Sequence, residues 1–202
     1  MSLKLLIAED VDLVAEAFEA LLTTDPEFEI VARVGSGDQV VDAALAHKPD
    51  IALLDIDMPG MTGIEACAEL TTRCPDCKVM LLTALPGSGH LPKALAAGAS
   101  GYLMKTMTAR QLFEGIQTVA TGGVVIDPSI AAEALRSGPN PLTDRECDIL
   151  RLVDRGVRTS EISEELFLTQ GTVRNYLSSA MTKLDAATRI VAVRTAKERG
   201  LI

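Results

Sequence analysis

The first 122 residues alternate between short aliphatic runs and segments whose apolar residues recur at helical spacing. The aliphatic runs predict strands, and the segments between them predict amphipathic helices. The predicted strands cover residues 3–8, 28–34, 51–54, 79–82 and 101–104, and the predicted helices cover residues 12–24, 36–47, 63–73, 91–97 and 109–120. We expect Asp12 to cap the first of these helices.

This order of elements is (βα)5. Strands that are apolar along their whole length must be covered on both faces, so helices are expected on each side of the sheet. Right-handed crossovers between such strands give an open parallel α/β sheet of the flavodoxin-like type. A ligand site is then expected at the carboxyl ends of the strands.

From residue 123 the pattern changes. Residues 123–140 contain one short helical segment and a Gly-Pro-Asn-Pro break at 138–141, which is typical of a linker. Residues 141–202 predict an all-helical domain of four helices, of which the first starts at a Thr143–Glu146 capping box and the others cover 159–166, 170–184 and 189–199. Two helices joined by a short turn predict a helix-turn-helix domain, and a small structural bundle fits the same pattern.

The charge is divided unevenly between the two parts. Residues 1–120 carry 17 acidic and 8 basic side chains, whereas residues 121–202 carry 11 of each. From residue 169 onward there are six Lys or Arg and two acids. The net charge of −9 therefore argues against a uniformly basic nucleic-acid-binding protein, while the last segment is suited to face an anion.

The sequence gives little support for a membrane-spanning, secreted or disulfide-bonded protein. The chain has no run of about twenty apolar residues, so we expect no membrane-spanning helix. The apolar run at the N-terminus is short and ends in two acids, which indicates a strand rather than a secretion signal. Cys74 and Cys77 have redox or metal-site spacing, but one such pair is weak support for either, so we expect structural roles and a cytoplasmic protein.

Polar residues stand at the carboxyl ends of successive predicted strands, and these residues are Glu9, Asp10, Asp55, Thr83 and Lys105. Parallel strands bring these ends to one edge of the sheet. Asp55 also forms an Asp-x-Asp pair with Asp57, as in phosphatases of the haloacid dehalogenase type. A solvated loop is the more frequent explanation of an isolated pair of this kind.

The set at this edge is suited to phosphoryl transfer. Mg²⁺ prefers oxygen ligands. The expected ligands are Asp10, Asp55 and the backbone carbonyl of Asp57, with Glu9 assisting. Asp55 would attack phosphorus and carry an acyl phosphate. Lys105 and the hydroxyl of Thr83 would each hold a phosphoryl oxygen.

These residues, with DMPGMTG following strand 3 and AGASGYLMK ending at Lys105, resemble the receiver domain of bacterial response regulators over residues 1–122. The resemblance implies that Asp55 is the phosphoacceptor, that Mg²⁺ is the cofactor and that a sensor histidine kinase is the donor. It places the phosphatase alternative second, because the phosphatase motif usually lies on the first strand of its domain. It also implies that Thr83 and Tyr102 turn inward as a switch on phosphorylation. Thr106 follows Lys105 where many receivers have a cis proline, so we expect no cis bond there.

The segment LTDRECDILRLVDRG, with SEISEELFLTQGTVRNYLSSAMTKLDAATR, resembles the four-helix DNA-binding domain of the LuxR/NarL/FixJ family over residues 141–202. GTVRNYLS and SGPNPLT are most similar to regulators of the DesR type, which work with membrane-embedded thermosensing kinases. The resemblance implies that Arg174, Asn175 and Ser178 face the major groove. Thr172 and Lys183 are better placed for phosphates. The implied partners are promoter DNA and, on phosphorylation, a second copy of the chain.

A standalone interaction protein, whose tail mediates assembly, remains an alternative, although a basic recognition helix disfavours it.

Two expectations concern the dimer. The dimer contact is expected on the helices at 12–24 and 109–120, or on the helix at 91–97 with the strand at 101–104. In the helical domain we expect Val191, Val193 and Ala196 to pair two copies.

Overall fold

The computed structural model of this chain describes residues 2–84, 90–137, 140–199 and 201–202. Residues 85–89, which belong to the predicted loop after the fourth strand, and residues 138–139 of the predicted linker break lie outside the described residues. The chain divides into two compact units, and the boundary between them falls after Ala131.

The first unit is a parallel sheet with helices between its strands. Its strands are β1 (Leu3–Ala8), β2 (Phe28–Val34), β3 (Ile51–Asp55), β4 (Lys78–Thr83), β5 (Gly101–Met104) and β6 (Val125–Ile126). The helices up to the unit boundary are α1 (Asp12–Leu22), α2 (Val40–His47), α3 (Gly63–Arg73), α4 (Leu91–Ala96), α5 (Ala109–Ala120) and the start of α6 (Pro128–Ser137). The strand order is β2-β1-β3-β4-β5-β6 and each pairing is parallel, which confirms the predicted flavodoxin-like fold.

The core of this unit explains why the strands are aliphatic. Every residue of β3 is buried, as expected for a central strand covered on both faces. On one face, Leu5 and Ile7 of β1 join a cluster with Phe18 of α1 and Ile116 of α5. Because successive side chains point to opposite faces, the intervening residue Leu6, which is also fully buried, belongs to the other face.

Three sequence predictions for this unit need correction. Residues 125 and 126, which our linker prediction includes, pair with Gly101 and Tyr102 as β6, so the sheet continues beyond residue 122. The first helix begins after Val11 without a side-chain cap, and Asp12 is instead its first residue. The segment at 36–47 starts with a 3-10 turn at Gly37–Gln39 before α2. The expected absence of a cis bond after Lys105 is confirmed, since no cis peptide bond occurs in the described residues.

The second unit is helical. After the end of α6 it contains α7 (Asp144–Asp154), α8 (Thr159–Glu165), α9 (Gln170–Lys183) and α10 (Arg189–Glu198). Thr143 and Glu146 form the predicted capping box at the start of α7. One hydrophobic cluster joins the four helices, with Ile149 of α7, Ile162 of α8, Val173 of α9 and Ala192 of α10 among its members.

The last helix does not present the face that we predicted for pairing two copies. Val193 and Ala196 are buried in the unit's own core, and Val191 is half-buried. The exposed apolar residue of α10 is Ile190. The 3.6-residue period identified an apolar stripe correctly, but it could not say whether the stripe packs within the domain or against another copy.

Candidate functional site

The carboxyl edge of the sheet brings the predicted acids and lysine together. Glu9 follows β1, Asp55 ends β3 and Thr83 ends β4, and all three are buried. Lys105 follows β5, and its Nζ lies 2.6 Å from Glu9 Oε2 and 2.9 Å from Asp55 Oδ1. The backbone N–H of Lys105 donates to the carbonyl of Thr83 at 2.7 Å, which fixes the end of β5 against β4. The predicted convergence at this edge is therefore present.

The same edge contains a group of oxygen donors that suits a small hard cation. Carboxylate oxygens of Glu9, Asp10 and Asp55 lie within 4.8 Å of one another. Asp10 is exposed, whereas the other two are buried, so the group has an open side toward solvent. Mg²⁺ prefers oxygen ligands and keeps several waters, and a site with one solvent-facing carboxylate meets both requirements.

The turn after β3 holds the backbone close to Asp55. Asp57 is exposed between the buried residues Ile56 and Met58, so its side chain points away from the core. Gly63, the first residue of α3, comes so close that a Cβ there would lie 2.0 Å from the carbonyl oxygen of Asp55. A residue with a side chain at this position would displace the strand end. The glycine therefore permits the helix to start directly beside the candidate phosphoacceptor.

The charges at this edge depend on one another. Burial raises the pKa of Glu9 and the neighbouring charge of Asp55 raises it further, while the hydrogen bond from Lys105 opposes both. Burial alone would lower the pKa of Lys105, but its contacts with Glu9 and Asp55 outweigh burial and raise the pKa. The ammonium group of Lys105 is thus held charged by the two carboxylates that it separates.

Tyr102 lies inside the receiver unit. The sequence predicts that its ring turns inward on phosphorylation, and in this structure the ring is inside, with 1% of the residue exposed. Its hydroxyl is buried and has no hydrogen-bond partner among the described residues. Burial, and then the nearby carboxylate of Asp57, raise the pKa of this hydroxyl. The backbone carbonyl of Tyr102 accepts from the N–H of Asp127 at 2.8 Å, which ties β5 to the residue just before α6.

In the helical unit, α9 has a buried and an exposed side. Val173, Leu177 and Ala180 face the core. The predicted base-reading residues Arg174, Asn175 and Ser178 are all exposed. Thr172 is half-buried, and its hydroxyl lies 2.8 Å from that of Thr169, the residue that caps α9.

Lys183, which the sequence predicts as a phosphate contact, forms an ion pair within the helical unit. Its Nζ lies 2.7 Å from Glu146 Oε2, and Ser179 donates to the other oxygen of Glu146 at 2.6 Å. Burial alone would raise the pKa of Glu146, but hydrogen bonds from Lys183, Ser179 and Thr143 lower it to about 2. Glu146 therefore links the start of α7 to the last turns of α9.

Glu146 shows what sequence spacing misses. The capping-box spacing identified its link to the N–H of Thr143, which is present at 2.6 Å. Its second carboxylate oxygen bonds to a residue 33 positions later, and no local pattern encodes that distance. A charged residue at a position with only 2% exposure is the signal that reveals such a link once the fold is known.

The cysteines form no disulfide within the part of the chain that the structure describes, and Cys67, Cys77 and Cys147 are buried. Burial raises the pKa of Cys77 to about 12, and the neighbouring Cys74 adds to this effect. Because the thiolate is the reactive and metal-binding form, these values agree with the structural role that we predicted for Cys77.

No helix in the described ranges has the length and apolar character needed to cross a bilayer.

Comparison with known proteins identifies both units. Residues 5–117 match the response regulator receiver domain, and residues 140–196 match the bacterial regulatory proteins of the luxR family. The transcriptional regulatory protein DesR of Bacillus subtilis (strain 168) is 38% identical over 198 residues, which cover 98% of each chain. The DNA-binding transcriptional activator DevR/DosR of Mycobacterium tuberculosis (strain ATCC 25618 / H37Rv) is 31% identical over 204 residues, covering 96% of this chain and 94% of that one.

A solved structure of similar architecture spans the whole chain. The crystal structure of the response regulator ChrA, from a heme-sensing two-component system, superimposes with a TM-score of 0.60 at 26% identity and covers 100% of this chain and 99% of that one. These matches favour a response regulator over the two alternatives, a phosphatase of the haloacid dehalogenase type and a standalone interaction protein. The chain belongs to the two-component response regulators that join a receiver domain to a LuxR-family DNA-binding domain and regulate transcription.

Proposed function

We propose that Asp55 accepts a phosphoryl group from a sensor histidine kinase, and that this modification promotes homodimerisation and sequence-specific binding to promoter DNA. One observation carries the proposal. The Nζ of Lys105 contacts both Glu9 and Asp55 at the carboxyl edge of the sheet, within a group of carboxylates that suits Mg²⁺. A buried carboxylate with a fixed cation beside it is equipped to receive a dianionic group.

Each residue at the sheet edge has its own role in the proposed phosphoryl transfer. An oxygen of Asp55 attacks the phosphorus of the donor, a P–O bond forms, and the bond between phosphorus and the donor's histidine nitrogen breaks. Lys105 and the hydroxyl of Thr83 hold phosphoryl oxygens as charge develops on them. Glu9, Asp10, Asp55 and the carbonyl of Asp57 would hold Mg²⁺, which neutralises phosphoryl charge when bound. Attack by water on the acyl phosphate releases inorganic phosphate and restores the Asp55 carboxylate.

The proposed DNA-reading surface is the exposed side of α9. Arg favours guanine and Asn favours adenine in the major groove, so Arg174 and Asn175 would read bases together with Ser178. Thr172 would contact phosphate near the start of the helix. The side chain of Lys183 is 33% exposed, and an ammonium has three donors, so we propose that it meets a phosphate while it stays bound to Glu146.

Dimerisation follows from the size of one helix-turn-helix module. A single module buries little DNA surface, and paired modules on two half-sites are the usual solution. Leu13 of α1 is exposed, which supports α1 as part of the receiver contact. The proposed switch residues are Thr83, which ends β4, and Tyr102 of β5, whose inward ring position would be the one that phosphorylation favours. Since chromosomal DNA is the proposed partner, we place the protein in the cytoplasm.

Labelling with acetyl phosphate tests the phosphoacceptor. The unmodified protein should incorporate one phosphoryl group in Mg²⁺ and none in a chelator. Asp55→Asn should abolish incorporation. Asp57→Asn is the matched control, because it changes the neighbouring carboxylate but keeps the backbone carbonyl, and it should still be labelled. Persistent labelling of the Asp55→Asn protein would contradict the assignment.

Sedimentation and DNA binding test the output. The phosphorylated protein should shift toward a dimer and bind a duplex selected from a random library more tightly than the unphosphorylated protein does. Equal mass and equal affinity in both states would contradict the proposed switch while leaving the labelling result intact.

A further inference from the structure

The turn between α8 and α9 ends α8 with a Schellman motif. The N–H of Leu168 donates to the carbonyl of Ser163 at 2.8 Å, and the N–H of Phe167 donates to the carbonyl of Glu164 at 3.2 Å. This pair of bonds places Phe167 at the first position beyond the helix cap, where the backbone turns left-handed with φ of 54°.

A phenylalanine is an unusual occupant of this position. Glycine is preferred there because it has no Cβ, and a bulky residue with positive φ is disfavoured. The end of α7 in the same unit uses the same two bonds, from Val157 to Leu152 and from Gly156 to Val153, and it has the expected glycine. The two helix ends therefore differ in the residue that occupies an equivalent backbone position.

The side chain of Phe167 gains nothing from the fold to offset this cost. The residue is 96% exposed, the largest exposure among the large apolar residues that the structure describes. Burial of an aromatic ring is normally favourable, and this ring is left in water. The left-handed backbone conformation and the exposed ring of Phe167 are thus both energetically unfavourable in the isolated domain. This is expected of a residue that buries its side chain only when a partner is bound.

We propose that Phe167 is a DNA contact that packs its ring against the deoxyribose carbons at the edge of the major groove. The inference rests on the proposed DNA-reading surface of α9. Phe167 lies two residues before Thr169, the cap of α9, and therefore at the N-terminal end of the helix that carries Arg174. In a helix-turn-helix domain this end of the recognition helix enters the groove, so the turn before it meets the flanking strand.

The chemistry of deoxyribose suits the ring. The sugar offers C–H groups that differ little between the four nucleotides, so an aromatic ring adds affinity there without reading sequence. Phe167 would then complement Arg174 and Asn175, which read bases but bury little apolar area. Removal of the ring should weaken binding to all duplexes by about tenfold, as expected for the loss of a partly buried aromatic side chain.

The experiment uses the full chain phosphorylated with acetyl phosphate and a duplex selected from a random library by the unmodified protein. Phe167→Gly and Phe167→Asn both remove the ring, and Asn tolerates positive φ without adding the flexibility of glycine. Both should raise the thermal midpoint of the helical unit, lower affinity for the duplex and leave the preferred sequence unchanged. Ile190→Ala removes another exposed apolar side chain, 73% exposed on α10, and should leave affinity unchanged.

Several outcomes would overturn the inference. Unchanged affinity in both Phe167 variants would remove the ring from the DNA contact, and a simultaneous loss of regulation in a purified transcription reaction would assign it to a protein contact instead. A lower thermal midpoint would show that the ring packs within the domain. An altered preferred sequence would show that the ring reads bases rather than sugars. Arg174→Ala separates this inference from the function on which it rests, because if that variant also leaves affinity and preference unchanged, the proposed reading surface itself is wrong.

Discussion

The phosphoacceptor edge and the reading face of α9 are built in opposite ways. At the sheet edge, charged groups from strands far apart in sequence are bonded to one another, as with the half-buried Lys105 between the buried carboxylates of Glu9 and Asp55. On α9, the candidate contacts Arg174, Asn175 and Ser178 come from two turns of one helix and are exposed. The bonds at the first site also hold the fold together, whereas the residues of the second site lie on the surface of a domain that folds without them.

This difference predicts where function and stability are coupled. A substitution at the sheet edge leaves buried charge without its partner and should affect folding as well as phosphorylation. A substitution on the exposed side of α9 should affect DNA binding while the domain stays equally stable. Glu146 combines features of both sites. It is a buried charge, as at the sheet edge, and it bonds to Ser179 and Lys183 of α9, the helix with the reading face.

The largest effect is expected from Lys105→Met, which leaves Glu9 and Asp55 facing each other without the ammonium. We expect the free energy of unfolding of the receiver unit to fall by about 3 kcal/mol in a chelator, because the loss of one member of a buried ion pair leaves uncompensated charge. Mg²⁺ should restore part of the loss, since a cation can replace the missing charge. Denaturant titrations with and without Mg²⁺ measure both effects. Full stability of the variant in chelator would show that the carboxylates do not need Lys105.

The next effect is expected from Glu146→Gln. The variant loses the ion pair with Lys183 and weakens the cap at Thr143, so the helical unit should lose about 2 kcal/mol of stability. Affinity for all DNA sequences should fall together, because the change acts on the position of α9 and not on a base contact. Ser179→Ala is a matched control that removes one hydrogen bond from Glu146 and keeps its charge. Its effect on stability should have the same sign and be smaller.

The depressed pKa of Glu146 gives this prediction a pH signature. Its pKa falls from 4.5 to about 2 on folding, so the folded unit binds the proton less readily than the unfolded chain. The stabilisation is fully present above pH 4.5 and is lost as the pH falls toward 2. The difference in unfolding free energy between the unmodified protein and Glu146→Gln should therefore shrink over this interval. A constant difference across it would show that the carboxylate charge is not what stabilises the unit.

Sequence reasoning predicted the sheet edge well because strand ends have a known destination. Once β1, β3, β4 and β5 were identified as parallel neighbours, Glu9, Asp55, Thr83 and Lys105 had to meet. The same reasoning failed where a residue had two possible partners. An apolar stripe containing Val193 fits either a core or a dimer contact, and the core is what the structure shows. For Lys183 the sequence carries no sign of the ion pair with Glu146, which lies 37 positions earlier. The short strand β6 was missed because two residues are too few to show a period.

A smaller effect is expected from Arg174→Ala and Asn175→Ala. Each should lower discrimination at particular base pairs by about 1.5 kcal/mol, because a good side-chain contact to a base contributes on this scale. The thermal midpoint of the helical unit should stay within error, since both residues are exposed. Binding-site selection with each variant measures the preference, and Thr172→Ala serves as a control that should weaken binding without changing the preferred sequence. A preference unchanged in both variants would show that another surface reads the bases.

The smallest effect is expected from Tyr102→Phe, and its sign is the informative part. The hydroxyl of Tyr102 is buried without a hydrogen-bond partner in the described residues, and a buried group in that condition costs about 1 kcal/mol. Removal of the oxygen should therefore raise the free energy of unfolding of the receiver unit by about that amount. Thr83→Val provides the contrast, because Thr83 is also buried but its hydroxyl is proposed to hold phosphate, so labelling should weaken in that variant and persist in Tyr102→Phe. A loss of stability in Tyr102→Phe would mean that the hydroxyl has a partner in the folded protein and that the inward ring is held by a bond rather than by packing.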